Sequence, residues 1–440
     1  MFGDILADVW FVVDLVLVQY YGWVIFAWLF AWLGYQMWLG SRIVKFLSTV
    51  KWMYLEVRVD ELNEKSAVAM EQIFSSMHAM LQSFSLGETW TGRVPLVFSA
   101  ELVSIGGRVS FIFKLPERYR NMLESAVFAQ YPKAEIREVQ DYLANLPRDY
   151  HPQNSEFEMW GTQLIKRANT AIPIRTYRQI DQYFEHSSQK STVEPLSGVL
   201  EAMSNISPNE MMAIQIVCLP ENENWKKGAY DLVAKMKGLP AKAKSASWFE
   251  KIFFEIPGAI IDGLFEALGM AGEGVIKKED KPQSLISSMS DAEKGNIDSI
   301  IGGLSKLSFN VKIRLLYLAP KESFNKGIRI PEILGAFRNF DNPQLNGLRP
   351  DSANITTDAS FKLFQSLEQP WLDYKILVRK NNFLRAFKDR GHWEGSGSTV
   401  LNTEELATIF HFPQAPNARV SQIERVQTVK SAPPIDLPIG

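Results

Sequence analysis

The sequence contains a single cysteine, Cys218, in 440 residues. One thiol excludes an intramolecular disulfide and every multi-thiolate zinc site. Histidine is scarce too. His78, His151, His186, His392 and His411 are scattered, and no HExxH zinc motif occurs. There is no Gly-Lys dipeptide, so the chain carries no P-loop of its own. GxGxxG and GxSxG are missing as well, which removes the dinucleotide fingerprint and the nucleophile elbow. Charge of one sign is not in excess: 47 Lys plus Arg against 49 Asp plus Glu leave a formal net charge of −2. Such a balance argues against a protein that grips nucleic acid through its overall field.

What remains gives no catalytic constellation. Cys218 sits between Val217 and Leu219, as a core thiol would. Gly269 to Gly274 (GMAGEG) lacks phosphate-loop spacing, and the acidic pairs Asp60-Glu61 and Glu404-Glu405 have no evident base, nucleophile or metal partner. No catalytic, cofactor-binding or metal-ligating residue is assigned, and no cofactor is expected.

The composition, 46% hydrophobic and 22% charged, is that of a globular chain. The length fits two or three domains. Leu15 to Gly40 carries no charged side chain and is dense in aromatics, among them Tyr20, Tyr21, Trp23, Trp28, Trp32 and Trp38. As helix it would extend about 39 Å, enough to cross a bilayer with tilt. Asp4, Asp8 and Asp14 precede the run, while Arg42, Lys45 and Lys51 follow it. The positive-inside rule then puts the N-terminus outside and the bulk of the chain in the cytoplasm. No basic n-region or cleavage site marks a signal peptide. Residues 1–14 are expected to lie along the outer interface.

Beyond Lys51 the pattern is that of a soluble α+β protein. Strands are expected at Trp52 to Val59, Leu96 to Ser104, Arg108 to Leu115 and Ala134 to Val139, with Gly106-Gly107 as a tight turn. Helical spacing covers Ser66 to Phe84, and Pro116 opens a helix to Gln130. The order β-α-β-β-α-β is the ferredoxin-like split unit, over 51–141. A second αβ domain, 156–320, is expected from strands Phe157 to Lys166, Met211 to Leu219 and Phe309 to Leu318. Its helices are Leu196 to Ser204, Trp225 to Lys237 and Asp291 to Lys306. Ser290 and Glu293 form a capping box for the last of these. The expected class is therefore α+β, an N-terminal transmembrane helix followed by tandem ferredoxin-like αβ sandwich domains.

An insertion at 238–289 interrupts the second unit. Its apolar stretch Trp248 to Leu268 is read as a helix packing on protein, with the membrane surface as the alternative. Residues 321–413 form a mixed region. There Tyr374 to Val378 (YKILV) reads as a strand inside a basic stretch that also holds Arg390 against one acid, Asp389, and whose other basic residues are Lys375, Arg379, Lys380, Arg385 and Lys388. Those five are a candidate contact for acidic lipid, nucleic acid or an acidic partner, against the simpler reading of a solvated helix face. Asn402 and Glu405 mark the start of a helix ended by Phe412-Pro413. Residues 414–440 are Pro-rich and read as a linker or arm.

Several stretches carry a family likeness: LEVRVDELNEKSAVAMEQIFSSMHAM (Leu55 to Met80), AELVSIGGRVSFIFKLPERYRNMLESAVFAQYPKAEIREV (Ala100 to Val139), FNKGIRIPEILGAF (Phe324 to Phe337), GSGSTVLNTEELATIFHFP (Gly395 to Pro413) and ERVQTVKSAPPIDLPIG (Glu424 to Gly440). Together they resemble the membrane-anchored, non-ATPase half of type IV secretion or conjugation-like ATPases of candidate-phyla bacteria such as the Patescibacteria. In longer members the Pro-rich linker leads into a P-loop ATPase domain. The resemblance therefore implies an inner-membrane scaffold or adaptor that docks an ATPase, expected either as a separate polypeptide or as a domain cut away from this chain. It also implies a homo-oligomer matching the motor's symmetry. Glu404, Glu405, Phe410, His411, Phe412 and Pro413 are the candidate partner-binding residues. The alternative function is a membrane-anchored protein that contacts nucleic acid.

Overall fold

The computed structural model describes residues 22–60, 63–180, 194–237, 289–358, 365–395 and 397–414. The expected interfacial segment 1–14, the start of the apolar run, Trp248 to Leu268, and all of the Pro-rich arm but Gln414 lie outside the described residues. The chain divides into two compact units. One comprises Met1–Thr170, Ile174–Glu221 and Leu307–Gly440; the other comprises Ala171–Pro173 and Asn222–Lys306.

The larger unit is an α+β structure built on one nine-stranded antiparallel sheet. Its strands are β1 (Trp52–Arg58), β2 (Phe98–Ile105), β3 (Arg108–Pro116), β4 (Glu135–Glu138), β5 (Phe157–Lys166), β6 (Met211–Pro220), β7 (Ser308–Pro320), β8 (Leu348–Pro350) and β9 (Thr399–Asn402). The spatial order is β4-β1-β3-β2-β6-β7-β5-β8, with β9 paired to β7. Numbered from its own first strand, each set of four runs 4-1-3-2. The sets meet where β2 pairs β6, from Phe98 opposite Cys218 to Ile105 opposite Met211. The regions expected as separate domains, 51–141 and 156–320, thus share one sheet, and β8 and β9 bring residues beyond 320 into it. Gly106 and Gly107, at φ of +58° and +86°, form the tight turn between β2 and β3, as a turn with two positive φ values requires.

Alternation along the strands sends one set of side chains into a large apolar core: Leu55 and Val57 from β1, Phe111 and Phe113 from β3, Ile214 and Ile216 from β6, Ile313 and Leu315 from β7. Helices cover this face because each carries an apolar stripe. They are α2 (Ala67–Met77), α4 (Arg120–Gln130), α5 (Ser197–Ser204), α8 (Lys326–Phe337) and α10 (Thr403–Ile409). The expected helix to Phe84 ends earlier: α2 passes into a 3-10 turn at His78–Met80, and Ser85 starts a new short helix, α3 (Leu86–Trp90), with a capping box to Glu88.

The opposite face is crossed by α9 (Gln365–Asp389). This corrects the strand expected at Tyr374 to Val378. Leu377 of this stretch packs with Phe383, Leu384 and Phe387, which recur at helical spacing and are buried, while Val378 stays exposed. A smaller core forms beneath it from Val103, Ile112, Met159, Ala213, Leu316 and those phenylalanines.

The N-terminal helix α1 (Gly22–Thr49) continues nine residues past Gly40, through Arg42 and Lys45. No helix among the described residues is long and apolar enough to cross a membrane. Yet α1 leaves large apolar side chains bare on all sides, including Phe26, Trp28, Phe30 at 71% and Met37 at 77% exposure.

In the smaller unit, α6 (Lys226–Met236) and α7 (Asp291–Leu304) bury Ala229, Val233, Ile297, Ile300 and Leu304 together with Ala171. The Ser290–Glu293 capping box at the start of α7 is present.

Candidate functional site

The sheet face under α9 carries a row of polar side chains in register. Glu101 of β2 lies opposite Gln215 of β6, Gln215 opposite Arg314 of β7, and Arg314 opposite Gln163 of β5. All four are buried. A buried polar group must be paired to be tolerated, and here the C-terminal end of α9 supplies the partners. Arg314 donates to the carbonyls of Ala386, Gly391 and Glu394, and Gln215 to that of Phe387 at 3.0 Å. Lys312 donates to the Glu394 carbonyl at 2.6 Å and Lys114 to that of Asp389 at 3.4 Å. Gln163 donates to the Gly397 carbonyl at 2.8 Å. Cations of the sheet therefore satisfy carbonyls at the negative end of α9 and in the turn that follows it.

Arg390 closes this arrangement. Among the described residues it is the one non-glycine residue with positive φ, +52°. It ends α9 where glycine is usual, with the Gly391 amide returning to the Ala386 carbonyl at 3.1 Å. The strain costs roughly 1–3 kcal/mol and is offset by the guanidinium. Its Nε and Nη2 reach Glu101 at 3.0 and 3.3 Å, its Nη1 and Nη2 reach Asp141 at 2.7 and 2.8 Å, and Nη1 also donates to the Lys388 carbonyl at 3.0 Å. Tyr54 and Tyr142 donate to the same two carboxylates at 3.0 and 2.7 Å and stack under the cation. The Asp141 carboxyl is held below the usual range: burial opposes its charge, but Arg390 outweighs that. Burial and the neighbouring Arg390 push Lys114 down to about 8, and burial with Arg314 does the same for Lys312. Burial, with Lys312 and Arg314 alongside, pushes His392 down to about 4.

Beside this end of α9 lies a cavity of about 610 Å³, lined among others by Arg148, Arg314, Arg379, Arg385, Asp389 and Glu394. Its arginines have internal partners. Arg148 pairs with Asp389 at 3.3 Å, Arg385 with Asp149 at 2.6 Å, and Arg379 gathers the carbonyls of Ser352, Ala353, Thr356 and Asp358. Among the described residues the lining includes no serine, cysteine or histidine.

The five expected basic contacts thus prove to be mainly fastenings of α9. Besides Arg379 and Arg385, Lys380 pairs with Glu158, Lys388 donates to the Leu146 carbonyl, and Lys375 lies 4.8 Å from the ring of Trp371. They do not form an open cationic face.

The expected partner-binding residues are also internal, all but Glu404 being buried. Phe410 and Phe412 pack edge-on or tilted against Phe74, Phe111, Phe113 and Tyr131. Pro413 is buried beside them. Glu405 completes the capping box with Asn402, accepts from the Ile174 amide and pairs with buried Lys166 at 2.8 Å. His411 is paired with Glu194; burial opposes its charge, yet the carboxylate raises its pKa above the ordinary value. Glu404 alone is partly accessible, 3.6 Å from Arg178. The outcome follows from the placement of α10, of which all residues but Glu404 are buried.

The polar row had a sequence signal that composition hides. Gln215 interrupts the otherwise apolar run of β6 (MMAIQIVCLP), and a lone polar residue in such a run marks a buried network. Among the described residues no cluster of His, Cys, Asp and Glu could hold a metal ion. Cys218 is buried, which pushes its thiol well above the usual range. Compared with known proteins, the chain matches no family model and no curated protein.

Proposed function

We propose that this protein is a single-pass bacterial inner-membrane scaffold, N-terminus out, whose cytoplasmic sheet unit consists of two ferredoxin-like halves. It docks a P-loop ATPase in trans, as part of a secretion, pilus or DNA-transfer machine. The observation that carries the reading is α1. A helix with Phe26, Trp28, Phe30, Trp32 and Met37 bare on all sides is unstable in water and suited to lipid. The 4-1-3-2 order of each half supports the ferredoxin-like assignment. The ATPase partner and the machine rest on the family resemblance alone. Nucleic-acid contact is disfavoured, because four of the five basic residues that would serve it have partners that hold α9 in place.

The test is fractionation followed by capture. The full chain should stay with membranes after alkaline carbonate, and pull-down from detergent-solubilised native membranes should enrich a P-loop ATPase. Release by carbonate would overturn the anchor; capture without any ATPase would overturn the adaptor.

A further inference from the structure

We infer that the segment Ser85–Arg93 is a second membrane contact, with Leu86 and Trp90 seated at the headgroup–acyl boundary of an anionic bilayer beside α1. The inference rests on reading α1 as the anchor and adds a surface that fixes how the sheet unit meets the membrane.

The segment has no reason to be apolar in water. None of the five residues of α3 is buried, and Leu86 and Trp90, one turn apart and so on one face, are 83% and 56% exposed. Its position is fixed by α1. The Trp90 ring lies 5.6 Å from Tyr35 and 5.7 Å from Trp38, and the Arg42 guanidinium lies 6.0 Å from the Trp38 ring. Gly92, at φ +84°, sits so close to α1 that a Cβ there would fall 2.5 Å from the Arg42 carbonyl carbon. Only glycine permits that approach.

The contact thus falls at Tyr35 to Arg42, where the apolar stretch of α1 gives way to Arg42 and Lys45. Tyrosine and tryptophan collect at this depth of a bilayer, and basic residues follow on the cytoplasmic side. Lipid is the occupant that fits, because the exposed pair continues the bare surface of α1. The flanking charge agrees: Arg42, Lys45 and Arg93 outnumber Glu88, which pairs with Arg93 at 2.8 Å.

The experiment uses the full chain in vesicles of phosphatidylethanolamine and phosphatidylglycerol. Leu86→Cys carries an NBD fluorophore, with Phe30→Cys and Glu322→Cys labelled in parallel. The unsubstituted chain, whose Cys218 is buried, gives the labelling background. Spin-labelled lipid should remove most of the emission at positions 30 and 86 and little at 322. Quenching at 30 with none at 86 overturns the inference and leaves the anchor standing. Silence at both overturns the anchor, and the inference with it. A blue shift at 86 that grows with protein density but not with spin-labelled lipid means a second copy covers the site, and also overturns it.

Discussion

The two faces of the sheet are held by different physics. On one, Leu55, Phe113, Ile216 and Ile313 lie under five helices, and burial scales with area and has little direction. On the other, beside a smaller apolar core, Glu101, Gln215, Arg314 and Gln163 meet the end of α9 and the chain just after it through hydrogen bonds whose geometry is particular to each donor. The apolar face should therefore forgive changes of shape and punish only loss of volume. The polar face should punish any change that leaves one partner behind, even a conservative one.

The hardest blow to this contrast comes from Arg390→Ala, which leaves Glu101 and Asp141 buried without their cation. The expected loss is about 3–5 kcal/mol of unfolding free energy in urea titration of the detergent-solubilised full chain. A loss below about 1 kcal/mol would mean that the network contributes little. Acid acts next. His392 is neutral in the folded state because its pKa is depressed to about 4. Its neutrality stabilises the fold fully above the ordinary histidine pKa of about 6.5, and this contribution is lost as pH falls from there through about 4, at most about 3 kcal/mol. The urea midpoint should fall over that window and fall less in His392→Gln; equal slopes would refute the assignment. His411 has the opposite sign. Its raised pKa stabilises the fold below pH 6.5, and that stability is lost as pH rises through the folded value.

A paired comparison is finer. Arg390→Lys keeps the charge but loses the fork, and should cost about 2 kcal/mol. Ile313→Leu on the apolar face, a swap of equal volume, should cost less than about 1.5 kcal/mol. A reversed order would show the polar face to be the more tolerant one. The smallest effect is expected for Glu404→Gln, within about 0.5 kcal/mol, since its partner Arg178 is half exposed.

Much of the sheet was legible because strand alternation and helix capping are local. The strands β1 to β7 and the capping boxes at Ser290 and Asn402 can be read from adjacent residues. Three things could not. The pairing of β2 with β6 joins residues more than a hundred positions apart, so no local pattern encodes it. The stretch YKILV has strand propensity that the longer stripe of α9 overrides. The aromatic run of Phe410 and Phe412 looks the same in sequence whether it faces a partner or a core; its burial is set by Phe74 and Phe111, which arrive from distant strands and helices. Candidate contact residues chosen by type alone therefore fell inside the molecule, while the lone polar residues that organise one face attracted no notice.

The position of β5 at the far side of the sheet has a consequence for how the chain is made. Both of its neighbours, β7 and β8, are encoded downstream, and β7 begins roughly 140 residues after β5 ends. By contrast, β1 to β4 pair among themselves and are complete once Glu138 has left the ribosome. At about 5–20 residues per second, β5 waits on the order of ten seconds or more with both edges unpaired. The N-terminal half is thus a finished template before the rest exists, and β6 can add to its β2 edge while β5 is still waiting.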